Sequence, residues 1–184
     1  GSLVWVDPEC LVAGEPVLLD LGGAADAAFR PVHVRNVGLP PAEPLDPFWS
    51  GVCAAIGTPD IPGTVESFVD GQVLRSYFNS HCFSVNPRLG LMARWWEAFQ
   101  RLATGAAFPR GACPGKAHHV FLFQAVMSAL VASAVGRDRI RMLPPSYGYP
   151  VAWDPTNPTG NTTPGTGLFV RPYMAWAAVT FNYA

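Results

Sequence analysis

Apolar and polar residues follow two kinds of pattern along this chain. Residues 3–6 form a short apolar run that ends at Asp7, which is typical of a buried strand closed by a turn. Alternation over residues 31–37 predicts a half-buried strand, whereas the Ala-rich residues 24–30 favour a loose helix. Further strands are expected at residues 64–69, 73–85, 139–143, 168–170 and 175–181, with a hairpin turn at Asp70-Gly71.

Three segments carry the signals of helices. Asp46 before Pro47 predicts a capped helix start, and Gly57 predicts the end of that helix. Residues 89–102 place large apolar side chains on one stripe, which indicates an amphipathic helix. Residues 118–135 are apolar nearly all round, which predicts a deeply buried helix. Because strands and helices alternate, the expected class is α/β, with a mixed sheet and flanking helices.

The composition is that of one folded domain. A hydrophobic content of 49% argues against disorder, and a net charge of −1 gives no basis for binding nucleic acid. The 18 glycines and 19 prolines indicate many turns, including a long surface loop over residues 154–167. We expect no transmembrane segment and, because no signal peptide opens the sequence, a cytoplasmic location. The cysteines are expected to be buried thiols: Cys10, Cys53, Cys82 and Cys113.

Two carboxylates, Asp7 and Glu9, flank Pro8 at the end of the first predicted strand. In an extended chain, side chains two residues apart point to the same side, so these two can converge on one ligand. Neighbouring carboxylates repel each other unless a cation, hydrogen-bond donors or water compensates them. Two interpretations follow: a site for Mg or Mn, which prefer carboxylate and phosphate oxygens, or an exposed acidic turn.

Five stretches are informative when they are taken together. They are residues 4–12, Tyr77-Phe78-Asn79-Ser80, the pair Trp95-Trp96, residues 119–130 with Gln124, and residues 143–150. In order and spacing they resemble the Asp-x-Asp strand, the sugar-facing strand, the Trp-bearing helix, the acid-Gln helix and the Leu-Pro loop of the GT-A-fold glycosyltransferases. The resemblance extends from about residue 3 to residue 150, and it is carried by the ordered set of motifs rather than by any one of them.

The resemblance implies a glycosyltransferase that moves a sugar from a nucleotide-sugar donor to an unknown acceptor, with Mn or Mg as cofactor. Asp7 would face the ribose or the metal, and Glu9 would ligate the metal. A metal there would stabilise the charge that develops on the departing diphosphate. The implied contacts to the sugar or the acceptor are polar and aromatic side chains: Asn79, Ser80, Gln124, Tyr147 and Tyr149.

The sequence also departs from the family pattern. Members carry a nucleotide-binding half before the acidic motif, so we expect residues 1–184 to form a single, partial glycosyltransferase-like domain that lacks this half. His81 stands where relatives often have Gly, and Phe123 stands where an acid is common. The alternative function is therefore a catalytically inactive domain of the same fold that binds a ligand or a partner.

A transfer that inverts the sugar's configuration needs a carboxylate to deprotonate the acceptor hydroxyl. The candidates for this general base are Asp46, Glu66 and Asp70. Asp46 also has the position of a helix cap and Asp70 that of a turn residue, so both have structural interpretations as well.

A zinc or thiol–histidine site is a different interpretation of the chain. Its ligands would come from Cys113, His118 and His119, or from His81 and Cys82. Adjacent histidines on a helix point in different directions, and the spacing matches no strong zinc pattern, so this interpretation is the weaker one.

Overall fold

The computed structural model describes residues 1–8, 10–12, 14–150 and 169–171. Its helices are α1 (Pro47–Ile56), α2 (Leu91–Thr104), α3 (Ala107–Ala112), α4 (Lys116–Val120) and α5 (Leu122–Ala134). Its strands are β1 (Leu3–Val6), β2 (Leu11–Val12), β3 (Ala27–Pro31), β4 (Thr64–Glu66), β5 (Val73–Arg75), β6 (Phe78–Val85), β7 (Ile140–Met142), β8 (Tyr149–Pro150) and β9 (Phe169–Arg171). Single 3₁₀ turns lie at Val17–Leu19, Pro87–Leu89 and Arg137–Arg139.

A four-stranded sheet in the order β1-β6-β3-β7 forms the centre of the fold. Strand β6 pairs antiparallel with β1 and β3, and β3 pairs parallel with β7. Helices α1, α2 and α5 pack on one another, and α5 packs on β6. A small sheet β2-β9-β8 and the hairpin β4-β5 complete the architecture. The predicted α/β class, with a mixed sheet and flanking helices, is confirmed.

Both faces of the central sheet are covered at its inner strands, β3 and β6. On the helix side, the rings of Phe29 and Phe83 stack with their centres 4.7 Å apart. Helix α5 lies over this side and is buried along most of its length, as its apolar pattern predicts. A smaller cluster packs on the other side, and its members are Leu19, Leu21, Ala25, Ala28, Cys82, Leu143 and Tyr147.

Strand β6 is irregular where it passes β3. Ala28 pairs with Ser84, and Arg30 pairs with Asn79. Between these two pairs β6 has more residues than β3, so β6 contains the extra residues of a bulge. Extra residues of this kind bend a strand and change the direction of its side chains. The irregular segment, residues 80–83, directly follows Asn79 and therefore shapes the corner at which the candidate site lies.

Local capping signals located helix α1 correctly. The Asp46 carboxylate accepts a hydrogen bond from the backbone N–H of Trp49 at 2.8 Å. Pro47 is the first residue of the helix, and Gly57 ends it in the left-handed conformation with φ of +77°. Each signal acts within one turn of the chain, so the sequence alone is enough to place these ends.

The other two helices were predicted in outline. Helix α2 carries Trp95, whose indole N–H donates to the carbonyl of Phe123 at 2.8 Å, while Trp96 is 50% exposed. The segment predicted as one helix over residues 118–135 is instead α4 and α5. They are separated at Phe121, whose backbone leaves the helical conformation with ψ of 8°.

Three predictions in the N-terminal part of the chain were wrong. Strand β1 is an edge strand, and its side chains are exposed rather than buried, with Trp5 49% accessible. The sequence predicts a helix over residues 24–30, yet β3 spans Ala27–Pro31. Of the strand predicted over residues 31–37, only Pro31 is in a strand, and residues 32–37 form bends and turns. Strand β3 lies between two others and is covered on both faces, and such strands do not alternate. Burial between β6 and β7 outweighs the low strand preference of alanine.

Candidate functional site

Asp7 extends the pairing of β1 with β6 beyond the last strand residue. Its backbone N–H donates to the carbonyl of His81 at 2.8 Å, and its carboxylate Oδ2 lies 3.0 Å from Nδ1 of His81. The side chains are half-buried, at 24% exposure for Asp7 and 15% for His81. The carboxylate therefore has a fixed direction at the end of the strand, as a ligand-binding acid requires. Glu9 lies outside the described residues.

Asn79 belongs to the same corner through the backbone of His81. The side-chain carbonyl of Asn79 accepts a hydrogen bond from the backbone N–H of His81 at 3.0 Å, and Asn79 is only 4% exposed. This local hydrogen bond holds the irregular part of β6 in place. Asp7, His81 and Asn79 thus form one connected group at the end of β1 and the bend of β6.

Arg30 is a member of this corner that the sequence prediction missed. It lies level with Asn79 on β3 and is 1% exposed. Its Nη2 donates to the carbonyl of Gly148 at 3.1 Å and to Nε2 of His33 at 3.0 Å. Within the described part of the chain, its Nε and Nη1 are buried and have no hydrogen-bond partner. The available signal was a single cation inside the apolar stretch from residue 27 to residue 32.

Burial dominates the electrostatics of Arg30. It lowers the pKa of the guanidinium to about 9, although the nearby thiols of Cys82 and Cys10 act in the opposite direction. A low-polarity environment disfavours the charged form, and no carboxylate among the described residues lies at ion-pair distance from Arg30 to compensate. The guanidinium is still charged at neutral pH, so the corner carries a buried positive charge.

The loop after β7 reaches this corner through the carbonyl of Gly148. Gly148 has φ of +86°, a conformation that side chains rarely adopt, and its carbonyl meets Arg30. Tyr147 is 3% exposed, and its hydroxyl accepts a hydrogen bond from the backbone N–H of Leu18 at 3.0 Å. This contact anchors the loop against the smaller core cluster. The side chain of Tyr149 lies outside the described part of the structure.

Ser80 and Gln124 meet on the helix side of the sheet. The Ser80 hydroxyl lies 3.1 Å from Oε1 of Gln124 and donates to it, and both side chains are buried. Ser128 extends the contact, because its hydroxyl accepts from the backbone N–H of Phe78 at 2.9 Å and donates to the carbonyl of Gln124 at 2.8 Å. These polar groups join α5 to β6. The structure therefore brings Ser80 and Gln124 together, as neighbours that hydrogen-bond to each other and not as groups that face a ligand site.

The three candidate general bases lie away from the Asp7 corner. Asp46 caps α1 and lines a cavity of about 340 Å³ that it shares with Arg35, Glu43 and His118. Asp70 is held by the hydroxyl of Ser67 and by the backbone N–H of Arg35 at 2.9 Å. Glu66 is exposed on β4. Asp46 is thus the candidate that faces a cavity.

The electrostatics of Asp70 are set by two opposed effects. Burial raises its pKa, but the hydrogen bonds from Ser67 and from the backbone of Arg35 lower it by more, so the net pKa is below its usual value. A carboxylate with a lowered pKa is a poorer proton acceptor. Asp70 is therefore a poorer general base than a carboxylate with the ordinary pKa of aspartate.

The corner supplies few donors for a metal ion. The described residues contain no group of three or more His, Cys, Asp or Glu side chains that could hold an ion. The corner offers the Asp7 carboxylate and the His81 imidazole. Mg and Mn sites often use one or two carboxylates and fill the remaining positions with substrate phosphates and water. The Asp7 carboxylate supplies the one protein ligand that such a site needs. The corner therefore suits a metal that is also bound by the ligand's phosphates, and not a metal held by protein side chains alone.

The zinc interpretation finds no support among the described residues. Cys113, His118 and His119 do not form a metal-binding group there. The ring of His118 instead packs edge-on against Phe48, with the ring centres 5.0 Å apart. Cys113 is buried, as are Cys53 and Cys82, which agrees with the prediction of buried thiols, whereas Cys10 is only partly buried.

The chain was also compared with known proteins. Within the described ranges, no helix is long and apolar enough to span a membrane. Comparison with protein-family models, with curated proteins and with solved structures finds no match to this chain.

Proposed function

We propose that this chain is a glycosyltransferase-like domain of the GT-A type that binds a nucleotide-sugar donor with Mn or Mg at the Asp7 corner. The observation that carries the proposal is the fixed carboxylate of Asp7 at the end of β1, joined through His81 to Asn79 on β6. An acid at a strand end beside a buried amide supplies a cation ligand and hydrogen-bonding groups for a polar substrate.

The chemistry of a sugar nucleotide suits these groups. Its diphosphate leaves with concentrated negative charge, and a divalent metal stabilises that charge when bound. Asp7 would hold the metal, and His81 would keep the carboxylate oriented, as outer-shell partners of metal ligands do. Asn79 would lie beside the donor. Of the proposed bases, Asp46 is favoured because it faces a cavity shared with His118, and the acceptor would have to span the separation between that cavity and the Asp7 corner.

A second candidate function is a domain of the same kind that binds the donor without transferring the sugar. The specific observation in its favour is that the described part of the corner contains one carboxylate, which already contacts His81. Binding needs only this corner, whereas transfer also needs an acceptor site and a base close to it. The two candidates therefore differ in turnover but not in donor binding.

The test is calorimetric titration of the chain with uridine diphosphate and with uridine diphosphate sugars, with and without Mn. We expect saturable, Mn-dependent binding that weakens by about tenfold or more in Asp7→Asn, because a ligand carboxylate is lost. Glu97→Gln is the matched control, since Glu97 is an exposed acid on α2 whose side chain is 76% accessible. Equal binding by Asp7→Asn and the native chain would exclude the Asp7 site. Release of free sugar from the donor separates the enzyme from the binding domain.

A further inference from the structure

The guanidinium of Arg30 has an unusual environment. It is 1% exposed, and in the described part of the chain its hydrogen bonds are made by Nη2, to Gly148 and His33. Among the described residues, the one N–H of Nε and the two of Nη1 have no acceptor. Buried polar groups are nearly always hydrogen-bonded, so a buried cation with open donors needs an explanation.

A purely structural role explains this arrangement poorly. Burying a charge without a partner is costly, and buried arginines are normally paired with a carboxylate or fully hydrogen-bonded. Among the described residues, the groups that interact with Arg30 include no carboxylate: they are the imidazole of His33, the carbonyl of Gly148, and the thiols of Cys82 and Cys10. An anion is the species that would compensate the charge and accept the open N–H bonds together.

We propose that Arg30 is the anchor of an oxyanion subsite that receives a phosphate group of the ligand. Planar guanidinium groups match phosphate oxygens with several parallel hydrogen bonds. The identification of this phosphate as part of the donor's diphosphate rests on the proposed function, whereas the oxyanion subsite itself does not. Arg30 is level with Asn79, and Asn79 is hydrogen-bonded to His81, so the subsite adjoins the Asp7 corner.

The loop at Gly148 lies next to the proposed subsite. A side chain at position 148 would have its first carbon 3.8 Å from Nη2 of Arg30 and 3.9 Å from Oδ1 of Asn79, so the loop backbone lies directly over both groups. A phosphate that accepts from Nε and Nη1 of Arg30 therefore needs space next to this loop. Anion binding is expected to move this loop.

The experiment titrates the metal-free chain with pyrophosphate and with inorganic phosphate. Binding is followed by calorimetry and by the NMR signal of the Arg30 Nε–H group, which should shift on saturation. Arg30→Lys keeps the charge without the planar donors, and Arg30→Met removes both, so each should weaken pyrophosphate binding by about tenfold or more. Arg141→Lys is the matched control. Arg141 lies on β7, the strand next to β3, and its side chain donates to the carbonyls of Leu18 and Asp20.

The outcomes separate this proposal from the proposed function. Pyrophosphate binding that depends on Arg30, without any binding of sugar nucleotides, supports the subsite and rejects the donor. Pyrophosphate binding that is equal in the native chain, Arg30→Lys and Arg30→Met overturns the subsite, as does the absence of binding at millimolar pyrophosphate. If Arg30→Met fails to fold, the Nε–H signal of the native chain and the Arg30→Lys titration still decide the question.

Discussion

The carboxylate Oδ2 of Asp7 lies 3.0 Å from Nδ1 of His81, one residue beyond the last strand pair of β1 and β6, Val6 and Cys82. The backbone of Asp7 also donates to the carbonyl of His81. Main-chain pairing therefore fixes the distance between the backbones of Asp7 and His81. Their side chains lose little additional conformational entropy when they come into contact. This favours a larger interaction energy than that of two flexible side chains on an open surface.

A double-mutant cycle measures the interaction between these two residues. Asp7→Asn, His81→Asn and the double variant should give a coupling free energy of about 0.5 to 1 kcal/mol in urea unfolding. The exposed pair Glu97–Arg101, with 3.5 Å between charged atoms, provides the control and should couple more weakly. A coupling no larger than that of the control pair would mean that the contact does not orient the carboxylate.

Asp46 has two separable roles, and two substitutions distinguish them. Asp46→Ala removes the cap of α1 and should lower the free energy of unfolding by about 1 kcal/mol. Asp46→Asn should keep the stability, because asparagine caps helices as well as aspartate. If Asp46 is the general base, Asp46→Asn loses sugar transfer while its thermal unfolding stays native-like. Native transfer rates in Asp46→Asn would remove Asp46 from that role.

The ends of helix α1 were predicted correctly because residues close in the sequence determine them. Strand β3 was missed because strands distant in the sequence determine it. The cap and stop of α1 are recognised within a few residues, so Asp46 and Gly57 were sufficient to bound it. Strand β3 exists because β6 and β7 lie on either side of it, and an Ala-rich segment does not reveal that.

The candidate site shows the same division. Asp7 was found because an acid after an apolar run is visible in one segment of the chain. Arg30 became a candidate only when the sheet order placed it level with Asn79. Its missing partner is a property of the packed structure, and no spacing in the sequence carries that information. The roles of Asp7 and Asn79 towards a ligand stay predictions that the titrations test.

Ser80 and Gln124 can be tested for packing and for ligand binding separately. Gln124→Met leaves the buried Ser80 hydroxyl without its acceptor and should lower the free energy of unfolding by about 1 to 3 kcal/mol. Ser80→Ala should cost about 1 kcal/mol, because one hydrogen bond is lost. Because these side chains point to each other, nucleotide-sugar affinity of the folded variants should match that of the native chain. A selective loss of affinity at unchanged stability would instead assign them to the sugar.

Asp26 makes the stability of the sheet depend on acid pH. Its carboxylate accepts hydrogen bonds from Arg139 at 2.9 Å and from Asn86 at 2.8 Å, and these lower its pKa. A lowered folded-state pKa stabilises the protein above the unfolded pKa of about 4, and the contribution disappears as the pH falls through the folded-state pKa. Asp26→Asn should therefore flatten the dependence of the urea midpoint on pH below about 4. An unchanged acid slope in that variant would contradict this linkage.

Two helical glycines should respond to alanine in opposite directions. A Cβ on Gly51 of α1 would overlap the ring of Phe108 in α3, with 2.7 Å to Cδ2, whereas a Cβ on Gly111 of α3 meets nothing within 4 Å. Overpacking typically costs about 1 to 3 kcal/mol, while alanine gains up to about 1 kcal/mol over glycine inside a helix. Gly51→Ala should therefore lower the thermal midpoint, and Gly111→Ala should leave it unchanged or raise it slightly. Combining Gly51→Ala with Phe108→Leu should recover part of the loss, since the smaller side chain removes the ring that the new methyl group meets. Equal shifts for the two alanine variants would show that helix preference, and not the contact between α1 and α3, decides the effect.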